Sequence, residues 1–511
     1  MSREGRAIVV GSGPNGLAAA ITLAEAGRDV TVLEAQERLG GGVATVELTL
    51  PGFHHDLFSS VYPAGAASPV FARMPLERHG LRWIHPEICV AHVLGEDRAV
   101  ALHRSVDATV ASLDAQHPGD GERWRAFTGP YLRSFGSLRR TMLSGFPPVR
   151  GPLGMVRGLG PGGMLEFVKL VLMPAMSLAN DLFQGQGAKA WLYGSAMHGD
   201  VPPTGAGSAI AAAYLQLLGH AVGWPSPEGG AGRLSGALAS YLEELGGRVR
   251  TSAPVVRVVV ERDRVSGVEL EGGERVPGTL VIADTTPRGL LRLAGHAFPE
   301  GYAASLRRYH YGVATVKVDW AMSDAIPWSA PDARRAGTVH VGGSDREVIQ
   351  AVAGTGDEGL AEKPFMLTGQ QSVADPSRAP AGQHTAWAYT HGPHGIDWAK
   401  EGDRHVERME AQMERFAPGF RDRVLARHVM MPRDLESRNE NLVEGDVGGG
   451  SYTLDQVFFR PVPSLAPYRT PLRGLFIGSA SSFPGGAVHG VPGHAAARLA
   501  LAEARVPGRG Y

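Results

Sequence analysis

A single cysteine, Cys89, stands among 511 residues. That excludes a disulfide framework, a zinc knuckle or a CxxC redox pair within the chain. Charge of one sign is missing as well. Fifty Lys and Arg against 51 Asp and Glu leave a net charge of -1, without the broad basic footprint of a nucleic-acid binder. Lysine is scarce, with only Lys169, Lys189, Lys317, Lys363 and Lys400. Long apolar runs are absent too. The most apolar window, Met164 to Phe183, carries Glu166, Lys169 and Asp181 around Pro174, whereas a membrane span needs about 20 largely uncharged residues. Met1 to Arg6 is polar and Ala7 to Val10 is too short for a signal-peptide core, so the expected location is the cytoplasm, with peripheral membrane contact left open. What abounds is glycine, 69 residues, roughly twice the ordinary share. With 43% apolar and 20% charged residues the chain must fold, and about 150 residues per domain gives two to four domains. The excess glycine therefore serves close packing or a ligand.

The first strong pattern opens the chain. Ala7 to Val10 reads as a buried parallel strand, Gly11, Gly13 and Gly16 make G-x-G-x-x-G, and Leu17 to Ala26 reads as a helix. Val30 to Leu33 is the next strand, and Glu34 lies 18 residues beyond Gly16. Gly11 permits the tight turn, Gly13 lets a pyrophosphate approach the backbone, and Gly16 lets helix pack on strand. The helix N-terminus offers free N–H groups to phosphates. Glu34 would accept from ribose hydroxyls and repel a 2′-phosphate. Strand, helix, strand and acid in this order are specific for a dinucleotide, but the unit alone leaves NAD and FAD open. Arg38 followed by Gly40-Gly41-Gly42 resembles the extension of glutathione-reductase-type flavoproteins and favours FAD. The C-terminus supplies a second half. Leu475 to Ile477 reads as a strand, Gly478 and Ser479 turn it, Gly485-Gly486 open a loop, and a helix follows from about His489. Such a helix N-terminus would stabilise an anionic reduced flavin. A second dinucleotide fingerprint is absent, because Gly230 to Gly236 lacks the preceding strand and the following acid.

Together these segments resemble the phytoene-desaturase-like flavoproteins: carotenoid desaturases, carotenoid isomerases and retinol-saturase-like enzymes, related to flavin amine oxidases. Glu47-Leu-Thr-Leu-Pro-Gly-Phe-His-His-Asp56, Pro225-Ser-Pro-Glu-Gly-Gly-Ala-Gly-Arg-Leu234, Gln371 to Arg378 and Phe459 to Pro463 extend the resemblance over nearly the whole chain. It implies an α/β fold with a discontinuous Rossmann-type FAD-binding domain, residues 1–75, 225–295 and 430–511. An α+β substrate domain would be built from the insertions 76–224 and 296–430. It implies FAD contacts at Gly11, Gly13, Asn15, Gly16, Glu34, Arg38, Gly41 and Gly42, a backbone contact to adenine at Val255, and further contacts at Gly478, Ser479, Val488 and Gly490. Ser481-Ser482-Phe483-Pro484 replaces the Gly-Thr-His-Pro-like run of many bacterial carotenoid desaturases, and Ala487-Val488-His489-Gly490 differs from their Ile-Pro-Gly pattern. These departures bear on a carotene substrate more than on the cofactor.

Two catalytic candidates follow. Lys317 sits between valines in the alternating segment Gly312 to Trp320. A lysine on a comparable strand of the related amine oxidases holds a water against flavin N5, and the match aims Lys317 at the flavin. The competing reading is a snorkelling lysine on the wet face of an edge strand. Lys317→Met keeps most of the apolar stem and deletes the charge, so folding and FAD content are expected to change little. His489, at the start of the last helix, has an ordinary pKa near 6.5 that suits a base; packing at a helix terminus is the alternative. His54, His55 and Asp56 lack a third ligand motif, so no metal is expected, and Asp56 is read as ordering the loop beside the flavin. Gly151 to Gly154 and Gly158 to Gly163 read as flexible punctuation before a helix, Met164 to Met173. The stripe Leu165, Val168, Leu172 and Met176, at helical spacing in this stretch, reads as core, ahead of a lid or membrane-facing entrance. The expected function is an FAD-dependent oxidoreductase of desaturase or dehydrogenase type. It would act on a carbon–carbon bond of a lipophilic, isoprenoid or polyene-like substrate, by hydride transfer to flavin N5, with oxygen or a quinone as acceptor. A saturase, a redox-neutral isomerase, an amine-oxidase-like oxidase and a flavin-bound scaffold are the alternatives.

Overall fold

The computed structural model describes residues 6–95, 97–353 and 359–505. Four apolar segments, Ala7–Val10, Val30–Leu33, Leu280–Ala283 and Leu475–Ile477, form buried strands of one sheet. With Arg248–Arg250 at its edge the sheet is wholly parallel, in the order 475–477, 280–283, 7–10, 30–33, 248–250. Near-continuous apolar strands are what a parallel sheet covered on both faces requires. Ala7, Val9, Val30, Val32 and Ile282 pack beneath helices Pro14–Glu25, Gly232–Glu244 and Val491–Ala504. Ile8, Leu33, Val281 and Ile477 face the other way, onto the three-stranded sheet Val255–Glu261, Arg264–Leu270 and Arg275–Pro277 and onto helix Pro287–Ala294. Every strand of the parallel sheet thus comes from residues 1–75, 225–295 or 430–511.

The second sheet has seven strands, in the order 424–430, 314–322, 384–392, 366–369, 336–341, 88–95, 98–102. It is antiparallel except where 336–341 meets 88–95. On strand Ala314–Met322 the alternation is complete. Val316, Val318, Trp320 and Met322 pack against helix Trp398–Phe416, which leaves Thr315, Lys317 and Asp319 on the opposite face. This strand pairs on both sides, with 384–392 and with 424–430. It is therefore an interior strand, and the reading of Lys317 as a wet residue on an edge strand is overturned.

Helix Arg150–Leu172 corrects a second expectation. The glycine runs are not loops before a helix; they lie inside it, with a break at Gly160, whose φ is 73°. Gly151, Gly154 and Gly158 share one face, and a Cβ on each would collide with Thr141, Ser137 and Ser134 respectively of the preceding segment. The glycines let two helices lie closer than side chains would allow. Three residues of the apolar stripe are not core: Leu165 is 72%, Val168 45% and Leu172 52% exposed, whereas Met176, in the next helix Ala175–Leu182, packs partly buried against the core. The side of helix Arg150–Leu172 that is buried instead carries Phe167 and Leu170. No helix among the described residues is long and apolar enough to cross a membrane.

Candidate functional site

One continuous cavity of about 1660 Å³ runs along the junction of the two sheets. At one end it is lined by Glu34, Pro254 and Val255, then by Gly11, Gly13, Asn15, Arg38, Gly41 and Gly42. It continues past Ser479, Val488, His489 and Lys317 to apolar walls that include Phe167, Ile210, Tyr214 and Trp224. Such a volume exceeds the usual 300–1,000 Å³ of a single small-ligand pocket, as a site shared by a dinucleotide and a second molecule would.

The dinucleotide end is built by its glycines. Gly11 has φ of 99°, a conformation that favours glycine. Gly13 precedes helix Pro14–Glu25, which starts with Pro14 at its first turn, where a missing N–H does no harm. A Cβ on Gly41 would stand 3.1 Å from the Cα of Gly13, and one on Gly13 would stand 2.7 Å from Asp284 Oδ2. Two glycine loops therefore press together at the helix N-terminus, leaving backbone and no side chain toward the cavity. That is the cradle a pyrophosphate needs. Glu34 is oriented before any ribose arrives. Its Oε2 accepts from the Ser12 N–H at 2.8 Å and the Ser12 hydroxyl at 2.7 Å, and its Oε1 accepts from Gln36 N–H at 2.9 Å. A carboxylate has about four acceptor sites, so one on Oε1 stays available. These residues fit FAD.

Gly16, Gly478 and Gly490 do a different job. The Cβ of Gly478 would meet Ala496 and Gly493, that of Gly490 would meet Phe71 and Ala18, and that of Gly16 would overlap the Gly11 carbonyl. None of the three lines the cavity; each brings backbone or helix close enough to shape it. Ala487 and Val488, with φ of 76° and 50°, do line it. Two successive non-glycine residues in the left-handed region store strain of order 1–3 kcal/mol each, most pronounced for the β-branched Val488.

Asp284, just past the strand Leu280–Ala283, carried no signal beyond being an acid at a strand end. Its Oδ2 accepts from Gly16 N–H at 2.8 Å, and Asn441 binds its carbonyl at 2.9 Å. Burial, reinforced by the Glu34 charge and opposed by the Gly16 N–H, pushes its carboxyl up to about 7. A group that can be neutral stands at the phosphate cradle.

Lys317 is 3% exposed and lines the cavity. Its Nζ donates to Asp319 Oδ1 at 2.5 Å and to the Asp56 carbonyl at 3.1 Å. Burial opposes ionisation of Asp319, but Lys317 and His55, whose Nδ1 lies 3.6 Å away, hold its carboxyl below the usual range. The lysine is thus half of a buried ion pair two residues apart on one face. Its replacement alone would strand Asp319, which argues against the expectation that folding would change little. Asp56 in turn accepts from Thr45 Oγ1 and Ala231 N–H, both at 2.8 Å, and pairs with Arg378 at 2.6 Å. It ties together the segment 45–56, the start of helix Gly232–Glu244 and Arg378.

His489 lines the same cavity but is occupied. Its Nδ1 accepts from Val491 N–H at 3.2 Å, its carbonyl accepts from Ser68 Oγ at 2.6 Å, and the ring also bonds the Gly486 backbone. Burial lowers its pKa to about 4, against the Gly486 bond, so the imidazole is neutral and caps the last helix. Cys89 is buried in strand Ile88–Gly95 and does not line the cavity. Deeper in the cavity stand His198 and His391, which no sequence spacing connects.

Comparison with known proteins agrees with this geometry. An NAD(P)-binding Rossmann-like domain matches residues 9–74, and a flavin containing amine oxidoreductase matches residues 96–498. The chain is 27% identical to pyridine nucleotide-disulfide oxidoreductase domain-containing protein 2 of Rattus norvegicus, over 97% of this chain and 93% of that protein. It is 24% identical to the neurosporene-forming phytoene desaturase of Rhodobacter capsulatus, over 96% and 92%. In fold it is similar to an oxidoreductase from Methanosarcina mazei, with a TM-score of 0.63 at 14% identity over 98% of this chain and 100% of that one. The chain belongs to the flavin-containing amine oxidoreductase family and is an FAD-dependent oxidoreductase.

Proposed function

We propose that the enzyme oxidises, or otherwise alters, a carbon–carbon bond of a lipophilic, isoprenoid or polyene-like substrate. The observation that carries this reading is the apolar stretch of the cavity, walled by Phe167, Val171, Ile210, Tyr214, Leu218 and Trp224, in open continuity with Lys317 and residues 486–489. Bound FAD supplies a hydride acceptor at N5. The chain's own residues do the rest. The glycine cradle and Glu34 hold the dinucleotide, and the strained Ala487-Val488 turn presents backbone where the ring would lie. The buried walls exclude water, which strengthens every electrostatic contact inside. Lys317 holds a positive charge beside the reacting region, with Asp319 fixing its position, and would favour negative charge as it develops during reoxidation by oxygen or a quinone. His489 is a positioning residue, since both sides of its ring are engaged.

The exposed face of helix Arg150–Leu172 completes the reading. Leu153, Leu165, Val168 and Leu172 face outward, while Phe167 and Val171 of the same helix line the cavity. A helix that is apolar outward and reaches the cavity inward suits peripheral contact with a membrane from which a lipophilic substrate enters. The test is anaerobic mixing of FAD-loaded protein with a panel of isoprenoids, polyenes and aliphatic amines. Bleaching of the flavin band by an isoprenoid, with a product two hydrogens lighter, is expected. Bleaching by amines alone would replace the substrate class, and an isomerised product without bleaching would replace the net reaction.

A further inference from the structure

Behind the cavity wall lies a row of imidazoles outside the machinery described so far. His92 and His340 are fully buried, and His198 and His391 reach the cavity. His198 Nε2 is 2.9 Å from His340 Nε2, and His92 Nε2 is 2.8 Å from the Gly343 carbonyl. His340 Nδ1 and His92 Nδ1 have no partner among the described residues, and both face Gly194, whose Cβ would overlap the former and stand 3.0 Å from the latter. Burial keeps His92 and His198 neutral, at about 4 and 3, and holds His340 well below its usual value. Each ring therefore carries one proton, and the carbonyl dictates where.

A carbonyl only accepts, so His92 Nε2 is the donor and its Nδ1 keeps a lone pair. That lone pair faces the pocket shared with His340 Nδ1, where a second lone pair would repel it. His340 is then protonated at Nδ1 and accepts at Nε2. His198 must donate from Nε2 and is left with a lone pair at Nδ1. We infer that the Gly343 carbonyl, acting through His92 and His340, fixes His198 as a hydrogen-bond acceptor toward the apolar cavity. The substrate is accordingly a lipophilic molecule bearing one hydroxyl. His391 offers no second acceptor to a ligand: its Nε2 donates to the Met197 carbonyl at 3.2 Å and its Nδ1 accepts from Thr315 Oγ1 at 3.5 Å. The inference rests on the reading of the cavity as a lipophilic substrate site. His198 is a specificity residue, and His340 and His92 are positioning residues.

The experiment titrates FAD-loaded wild type with geranylgeraniol and with its methyl ether, which has the same chain and no donor, following the flavin spectrum. One neutral hydrogen bond in a dry site predicts about fivefold tighter binding of the alcohol. The preference should vanish in His198→Leu and shrink in His92→Phe, a readout that a merely structural role would not move. Equal binding of both probes overturns the acceptor while leaving the cavity reading intact; binding of neither overturns both. A second measurement does not depend on variants folding. In 15N-histidine spectra of wild type, the coupling between two Nε2 atoms identifies the His198–His340 pair. The donor ring should have an unprotonated Nδ1 that shifts when the alcohol is added. A shift at a protonated Nδ1 instead would reverse the relay and overturn the inference.

Discussion

Lys317→Met removes the cation from a pair in which Asp319 is completely buried. With Lys317 gone, the carboxylate keeps, among the described residues, only His55 within ion-pair distance, at 3.6 Å. Breaking a buried pair by removing one partner costs about 3–5 kcal/mol, whereas replacing both by apolar groups is often neutral. With a urea dependence of about 2–3 kcal/mol per molar, the single variant should lose roughly 1–2 M in the unfolding midpoint. Lys317→Met/Asp319→Leu should regain most of it. The pair also decides how reoxidation is to be read. The single variant exchanges a neutral pair for a bare carboxylate, which repels negative charge developing on oxygen; the double variant leaves no charge. Stopped-flow reoxidation should therefore be slowest in the single variant and intermediate in the double. A loss of about 1.4 kcal/mol of stabilisation corresponds to a tenfold lower rate constant. A single variant as stable as wild type would refute the buried-pair argument. Equal reoxidation rates in wild type and double variant would refute a role for the lysine in that step.

Three further outcomes are expected. Asp284→Asn keeps an acceptor for Gly16 N–H and deletes a charge. Because the folded carboxyl sits at about 7, above its ordinary value, wild-type stability should fall as pH rises from about 4 to 7 and stay low above. The variant should match wild type below about pH 4 and exceed it at pH 8, and wild-type FAD affinity, unlike the variant's, should weaken over the same rise; a flat difference in melting temperature would contradict this. Glu34→Ala should weaken FAD by about 1.5–3 kcal/mol, and an unchanged dissociation constant for the apoprotein would remove its ribose role. Leu165→Glu/Leu172→Glu should abolish flotation with liposomes while FAD content stays constant; continued flotation would detach the exposed helix from membrane contact.

Local pattern carried the cofactor half of this molecule a long way. Ala7–Val10, Val30–Leu33 and Leu475–Ile477 fall where their apolar runs place them, because a strand buried on both faces has no polar positions to blur its ends. Periodicity could say that Leu165, Val168 and Leu172 share a helix face, but not which face meets protein. Glycines at 151, 154 and 158 look like loop in sequence and become helix only because Ser134, Ser137 and Thr141 lie against them. The partner of Lys317 was legible at two-residue spacing, yet burial of the strand on both sides depends on segments some 70 and 110 residues away. Asp284 and the imidazoles His92, His198 and His340 were invisible for the same reason. Their chemistry comes from neighbours more than 100 residues distant in sequence.

The most direct test is the crystal structure of the FAD-bound protein. The pyrophosphate is expected on the backbone of Gly13 and the start of helix Pro14–Glu25, the ribose on Glu34, and the isoalloxazine ring between Lys317 and the Ala487-Val488 turn, with one face open to the apolar chamber. A ring lying away from that chamber, or a dinucleotide bound outside the glycine cradle, would contradict the account.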